Sequence, residues 1–285
     1  PGLKKLHIDQ ICNGQCSVYS VVLSELAVRL ARLTPTMSDQ TLDYFLSLMR
    51  ISRRDAAEVT WAHAVNSRRK LEDTLTGPTH MMEADIIMRG CDPKEPIMAH
   101  PPDTDSDITL KEWLEEVKAH DKGIKLDFKS LEAVSPSLAV LEGVLTDLSR
   151  PVWINADILS GPGGQARPLE PQAFLSAATI LPPRTVLSLG WTTGWTAGTD
   201  NPGYDWEMVH GMEEICRTVK NPVTFPVRAA LLAQSFPQLR WLLQQSDRYT
   251  LTVWTGQNDS YTLQDFLPYK QEIDSSKIYY DLSDC

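Results

Sequence analysis

From residue 38 onward the sequence repeats one unit: a short run rich in β-branched and aromatic residues, a turn, then an amphipathic helical stretch. This alternation constrains the fold more than any other feature. A strand that reaches the next strand through a helix must cross over, and the crossover makes the pair parallel. Eight strand candidates occur: EVTWAHAVN from Glu58, MMEADIIM from Met81, GIKLDFK from Gly123, PVWINADIL from Pro151, TVLSLGW from Thr185, PVTFPVRAA from Pro222, YTLTVWTG from Tyr249 and KIYYDL from Lys277. Eight is the count that closes into a (β/α)8 TIM barrel. The competing architecture is a doubly wound open sheet, but no strand is followed by the GxGxxG turn of that fold. The glycine-rich SGPGGQ (Ser160 to Gln165) lacks GK[ST], so it reads as a flexible loop and not as a phosphate loop.

Helical spacing fills the gaps between strands. The first helix runs from about Asp39 to Ile51, with Ser38 as its N-cap. Thr109 and Glu112 form a capping box that opens TLKEWLEEVKAH. SLAVLEGVLTDL, WEMVHGMEEICRTV, PQLRWLLQQS and TLQDFLPYKQEI carry the same apolar period. Residues 38–285 therefore form a single barrel domain. Residues 1–37 form an N-terminal flank of unknown role. Its best apolar run, Ser17 to Leu33, is interrupted by Glu25, Arg29 and Arg32, so it reads as one amphipathic helix and not as a transmembrane span or a signal peptide.

Charge narrows the classes of partner. A formal net charge of -10 opposes general binding to nucleic acid or to anionic membranes. The five cysteines, Cys12, Cys16, Cys91, Cys216 and Cys285, are odd in number and scattered, so no disulfide framework or zinc site is implied. Asp103, Asp105 and Asp107 imitate a calcium-binding loop. The resemblance fails where Ile108 replaces the obligatory glycine and Leu114 the bidentate glutamate. Asn258-Asp259-Ser260 is a glycosylation sequon.

Side chains along a strand alternate between two faces. In GIKLDFK the apolar face is Ile124, Leu126 and Phe128; the other carries Lys125, Asp127 and Lys129. Glu83 and Asp85 share one face of MMEADIIM, and Trp153, Asn155 and Asp157 share one face of PVWINADIL. PVTFPVRAA sends Thr224, Pro226 and Arg228 one way, and YTLTVWTG sets Thr252 and Trp254 opposite Leu251 and Val253. TVLSLGW alternates too poorly to fix the face of Trp191. If the apolar sets face the helices, the polar sets face the barrel lumen. A lumen is normally filled by branched apolar residues. Structural salt bridges would account for some of this charge, yet buried pairs add little net stability. Polar groups from several strands aimed at one space imply a site at the C-terminal ends of the strands.

Glu83, Asp85 and Asp127 supply oxygen ligands suited to one hard cation, Mg²⁺ or Ca²⁺. His63 ends the first strand region and His100 follows the second. Each alone reads as a structural histidine; together, beside a metal, they suit acid–base work near neutral pH. Lys129 stands two residues after Asp127 and can offset a phosphate oxygen. Metal, lysine and two histidines are a set for phosphoryl transfer.

HAVNS, EADI, PIMAHPPDTDSD, GIKLDFKSLEAV, WINADIL, LSLGWTTGW and PVTFPVRAAL, in that order, resemble the menorin family, and most of all its shorter single-domain branch. The resemblance covers about residue 38 to residue 282. It implies a further likeness to the phospholipase-C-like phosphodiesterases, which include glycerophosphodiester phosphodiesterases and venom phospholipase D. By that likeness His63 and His100 are the acid–base pair, Lys129 contacts phosphate, and Glu83, Asp85 and Asp127 hold the ion. Asn155, Trp191 and Trp254 would line the pocket, with Asn66, Lys125 and Arg228 as further substrate-binding residues. The first motif is HAVN and not HRG, which resembles the venom enzymes more than the glycerol-specific ones. The resemblance also implies a helix after the eighth strand.

Two functions follow. The first is a metal-dependent phosphodiesterase whose ligand is a phospholipid or small organic phosphodiester. The second is a catalytically idle recognition module with cell-surface protein partners, as in adhesion complexes of neuronal or retinal tissue. The likeness implies an extracellular or membrane-tethered protein, while the lack of a convincing signal peptide leaves the cytoplasm open.

Overall fold

The computed structural model describes residues 39–145, 149–256 and 259–282. The N-terminal flank, Ser38, Cys12, Cys16, Cys285 and Asn258 lie outside the described residues. Eight strands pair in parallel in the order β1 (Trp61–Ala62), β2 (Met81–Met88), β4 (Gly123–Phe128), β5 (Val152–Ser160), β6 (Val186–Thr192), β7 (Val223–Arg228), β8 (Tyr249–Trp254) and β9 (Ile278–Asp281). A short ninth strand, β3 (Pro96–Met98), lies between β2 and β4 in the chain and off this path. Helices alternate with the parallel strands, and the chain is a (β/α)8 TIM barrel. The helices are α1 (Thr41–Ser47), α2 (Arg68–Thr76), α3 (Leu110–Val117), α4 (Leu131–Val144), α5 (Pro171–Ala178), α6 (Trp206–Cys216), α7 (Ala229–Gln244) and α8 (Leu267–Lys270). No helix among the described residues is long and apolar enough to cross a membrane.

Several elements differ from the periodicity, each for a local reason. The first strand region yields a strand of only two residues. A 3-10 turn at Ala56–Glu58 precedes it, and Ala64 takes a positive φ of 51°, which ends it. The short β1 leaves the far edge of β2 uncovered, and β3 pairs there antiparallel, Ile86 against Met98. Helix α1 stops at Ser47 because Met49 turns the chain with φ 55°; Asp39 Oδ1 accepts from Thr41 N at 2.9 Å at its start. α4 and α7 begin well before the prolines, Pro136 and Pro237, that they contain. The stretch from Thr262 splits into a 3-10 turn at Leu263–Phe266 and the single turn of α8, with Pro268 at the junction.

Two main cores divide the barrel, and Ile87, Ile97 and Ala99 form a small third cluster where β3 meets β2. The outward faces of the strands, including Ile124, Leu126, Ile154 and Phe225, pack under Trp113, Leu138, Met212 and Leu239 of the helices. The N-terminal end of the lumen is closed by a separate aromatic layer in which Trp61, Trp153 and Tyr279 meet Leu42 and Phe45 of α1. Trp153 stacks edge-on to Tyr279 at 4.9 Å and to Trp61 at 5.2 Å, and its Nε1 donates to Thr41 Oγ1 at 2.9 Å. Above this layer the lumen turns polar.

Trp153→Ala should remove this plug. It empties a fully buried indole and strands the Thr41 hydroxyl, so about 3–5 kcal/mol of stability should be lost. Urea unfolding of the variant measures this; a loss below about 1 kcal/mol would show that α1 and the aromatic layer do not hold the barrel floor.

Candidate metal centre

The parallel register aligns the polar lumen into a row. Asp85 stands opposite Asp127, Asp127 opposite Asn155, Asn155 opposite Ser188, and Ser188 opposite Thr224. Glu83, one pleat below Asp85, stands opposite Lys125. Glu83, Asp85 and Asp127 offer oxygens that all lie within 4.8 Å of one another. All three are carried on strands, which fix their backbone better than loops would.

Each carboxylate spends one oxygen on a neutral donor. Ala64 N donates to Glu83 Oε2 at 2.7 Å, and the positive φ of Ala64 aims that N–H inward. Asn66 Nδ2 donates to Asp85 Oδ2 at 2.7 Å, while Asp85 N donates back to Asn66 Oδ1 at 2.9 Å. Asn155 Nδ2 donates to Asp127 Oδ1 at 2.7 Å, and Ser188 Oγ donates to Asn155 Oδ1 at 2.5 Å. The remaining oxygens of Asp85 and Asp127 both face Lys129, whose Nζ lies 3.0 Å from Asp85 Oδ1 and 2.5 Å from Asp127 Oδ2. Burial works against the Lys129 ammonium, but Asp127, Asp85 and Glu83 outweigh it and hold its pKa above the ordinary lysine range. Burial likewise opposes ionisation of Asp127, and Lys129 and Lys125 overcome it, leaving the carboxyl lowered.

A second cluster adjoins the first. His63 Nδ1 lies 3.3 Å from both Glu83 Oε2 and Asp281 Oδ2. Lys125 Nζ approaches Asp281 Oδ2 at 3.5 Å and sits 5.8 Å from the ring of Trp61. The Glu83 carboxylate, and Asp281 after it, lift His63 to about 9 against the effect of burial. Burial pushes Glu83 up to about 7, opposed by His63. Asp281 is lowered: burial raises it, and His63 and Lys125 more than compensate. No motif singles out Asp281, although the alternation of KIYYDL puts it on the face of Tyr279 and so inside the barrel.

The other expected site residues fall in different places. His100 follows β3 at the rim, exposed, with Nδ1 at 2.6 Å from the Pro101 carbonyl; its neighbour Ala99 donates N–H to the Asp85 carbonyl at 3.1 Å. Asn66 and Asn155 each hold a carboxylate through one end of the amide and are themselves held at the other. Each fixes the direction of a carboxylate and keeps a second Nδ2–H. Lys125 is buried beneath them. Arg228 lies at the end of β7, bidentate to Asp259 at 2.8 and 2.9 Å and flanked by the rings of Trp195 and Trp254 at 4.8 and 5.5 Å. Trp191 turns away from the lumen and packs on Tyr204 and Phe225 at 5.1 and 6.1 Å. It alternates with Gly190, which takes the inward position.

The pattern of the menorin N-terminal domain matches residues 55–285. The chain belongs to the menorin family. It is 49% identical over 247 residues to human Protein FAM151B, covering 86% of this chain and 90% of that relative. The matched span holds the whole acidic cluster of this menorin-family barrel, together with His63, His100, Lys129 and Asp281.

The His63 shift has a measurable sign. Its pKa is raised in the folded state, so its ion pairs contribute stability fully below pH 6.5 and lose it as the pH rises through about 9. With divalent ions chelated, the wild type should therefore be more heat-stable than His63→Gln in mildly acidic buffer, and the gap should close toward alkaline pH. A gap that is constant across that range contradicts the ion pairing.

Proposed function

We propose that this barrel holds one divalent cation, Mg²⁺ or Ca²⁺, on Glu83, Asp85 and Asp127 and uses the site on a phosphodiester, either a phospholipid or a small organic diester. The observation that carries this reading is the anchoring pattern. Three carboxylates in one buried space are each fixed through a single oxygen, and the pattern leaves the second oxygens of Asp85 and Asp127 to a cation. Like charges held this close require a counter-charge, and hard oxygen ligands select a hard ion.

When bound, the ion would polarise a phosphate oxygen and offset charge in the transition state. The chain's own residues supply the rest. Lys129 brings a positive charge to the same carboxylates and is placed to contact a phosphate oxygen. His63 is held at Nδ1 by Glu83 and Asp281, which leaves Nε2 to exchange a proton with substrate. His100 stands at the rim as the second member of the pair. One histidine takes the proton of the attacking hydroxyl as the new P–O bond forms. The other gives a proton to the departing oxygen as the old bond breaks.

Lys129 also motivates the second reading. Its ammonium already bridges Asp85 and Asp127, so the carboxylates have a counter-charge without any metal. An idle recognition module for a cell-surface protein partner would keep Lys129 in that role permanently, and its partner binding would survive loss of all three carboxylates.

Calorimetric titration with Mg²⁺ and Ca²⁺ separates the two. The wild type should bind one ion; Asp127→Asn should abolish binding, and Asn155→Ala should weaken it about 10–100-fold by freeing the ligand it orients. No ion uptake by the wild type would sink the metal reading. Activity is then screened on lysophospholipids and glycerophosphodiesters. Turnover should exceed that of His63→Ala for at least one class; equality across the panel leaves the recognition module.

A further inference from the structure

Asp157 stands apart from every other carboxylate of the lumen. Glu83, Asp85, Asp127 and Asp281 each have a hydrogen bond or ion pair. Among the described residues, nothing bonds to the side chain of Asp157. It shares a strand face with Asn155, one pleat further along β5, and so stands about 6–7 Å nearer the mouth than the row that fixes the acidic triad.

The surrounding backbone is arranged around this carboxylate. Asp157 pairs with Gly190 of β6. A Cβ on Gly190 would come within 2.4 Å of Asp157 Oδ1 and 2.9 Å of Pro226 Cγ, so any side chain there would evict the carboxylate. Immediately after Asp157 the register of β5 on β6 shifts, and Leu169 N donates to the Asp157 carbonyl at 2.9 Å. The shift ends regular pairing at this residue and pins its main chain. The Asp157 carboxyl is half-buried, kept clear by Gly190 and bonded to no protein donor, so it is open to a group brought by a ligand.

We propose that Asp157 is a specificity residue that recognises a hydroxyl on the organic group of a phosphate ester bound at the acidic triad. This rests on the phosphate-site reading above. Its place, one pleat outward from the ligand row, is where the group attached to such a phosphate would extend. Burial, and Asp127 after it, push Asp157 up to about 7. A hydroxyl can donate to the ionised form and accept from the neutral one. An ammonium can pair only with the ionised form.

The test is calorimetric binding of three probes to the Mg²⁺-loaded protein: methyl phosphate, glycerol 3-phosphate and O-phosphoethanolamine. Glycerol 3-phosphate should bind about tenfold more tightly than methyl phosphate, the value of one bond to a charged or partly charged group. Asp157→Ala and Asp157→Asn should bring the two within about threefold while leaving methyl phosphate affinity unchanged. Neither variant strands a partner, so both should fold, and circular dichroism verifies this. Equal binding of the first two probes, or a preference that persists in Asp157→Ala, overturns the role of Asp157 and leaves the phosphate site standing. A preference for O-phosphoethanolamine alone overturns the hydroxyl assignment. Failure of all three probes to bind overturns the phosphate reading and this inference with it.

Discussion

Close packing of like charge in a largely buried lumen is the constraint on which this molecule turns. Glu83, Asp85 and Asp127 cannot share a buried space without an answering cation, because desolvation alone costs several kcal/mol per ion. Lys129 answers two of them directly, while Lys125 and His63 serve Glu83 and Asp281. Remove one cation and the remaining carboxylates must take up protons or a metal. The neutral amides of Asn66 and Asn155 act differently, fixing direction without changing the charge balance.

This polar chamber is possible because the fold assigns its apolar burial elsewhere. The helix layer covers the outward strand faces, and the aromatic layer with α1 seals the floor. Apolar packing and the charged cluster thus occupy different levels of one barrel. The site residues sit on strands whose outward neighbours, such as Ala84, Leu126 and Ile154, are locked in the outer core. That packing holds the carboxylates at distances loops would not maintain.

How much the sequence reveals depends on whether a feature is local. Alternation in β2, β4 and β5 is clean, so the lumenal faces of Glu83, Asp85, Lys125, Asp127 and Asn155 are legible residue by residue. Pairing is not. Asn66 reaches Asp85 across 19 residues and Asn155 reaches Asp127 across 28, and both contacts depend on barrel register that no single strand encodes. This is why the grip of the two asparagines on Asp85 and Asp127 is not legible in the sequence. Trp191 is ambiguous because its strand carries glycine at the inward position and the neighbouring strand shifts register beside it. The first strand is overestimated because the positive φ of Ala64 is set by its bond to Glu83, a tertiary contact. Asp281 obeys the same alternation rule as the triad, but it is the lone carboxylate on its strand, so no spacing draws notice to it.

One seam remains. Among the described residues no backbone ladder joins β1 to β9; the contacts that span the gap include His63 reaching Asp281 and the ring of Trp61 facing that of Tyr279 at 6.5 Å. His63, which we propose moves protons, is therefore also part of the clasp between the two ends of the barrel. Wear at that clasp would register at the imidazole before it registered as unfolding: a frayed last strand would leave most of the sheet intact and His63 misaligned.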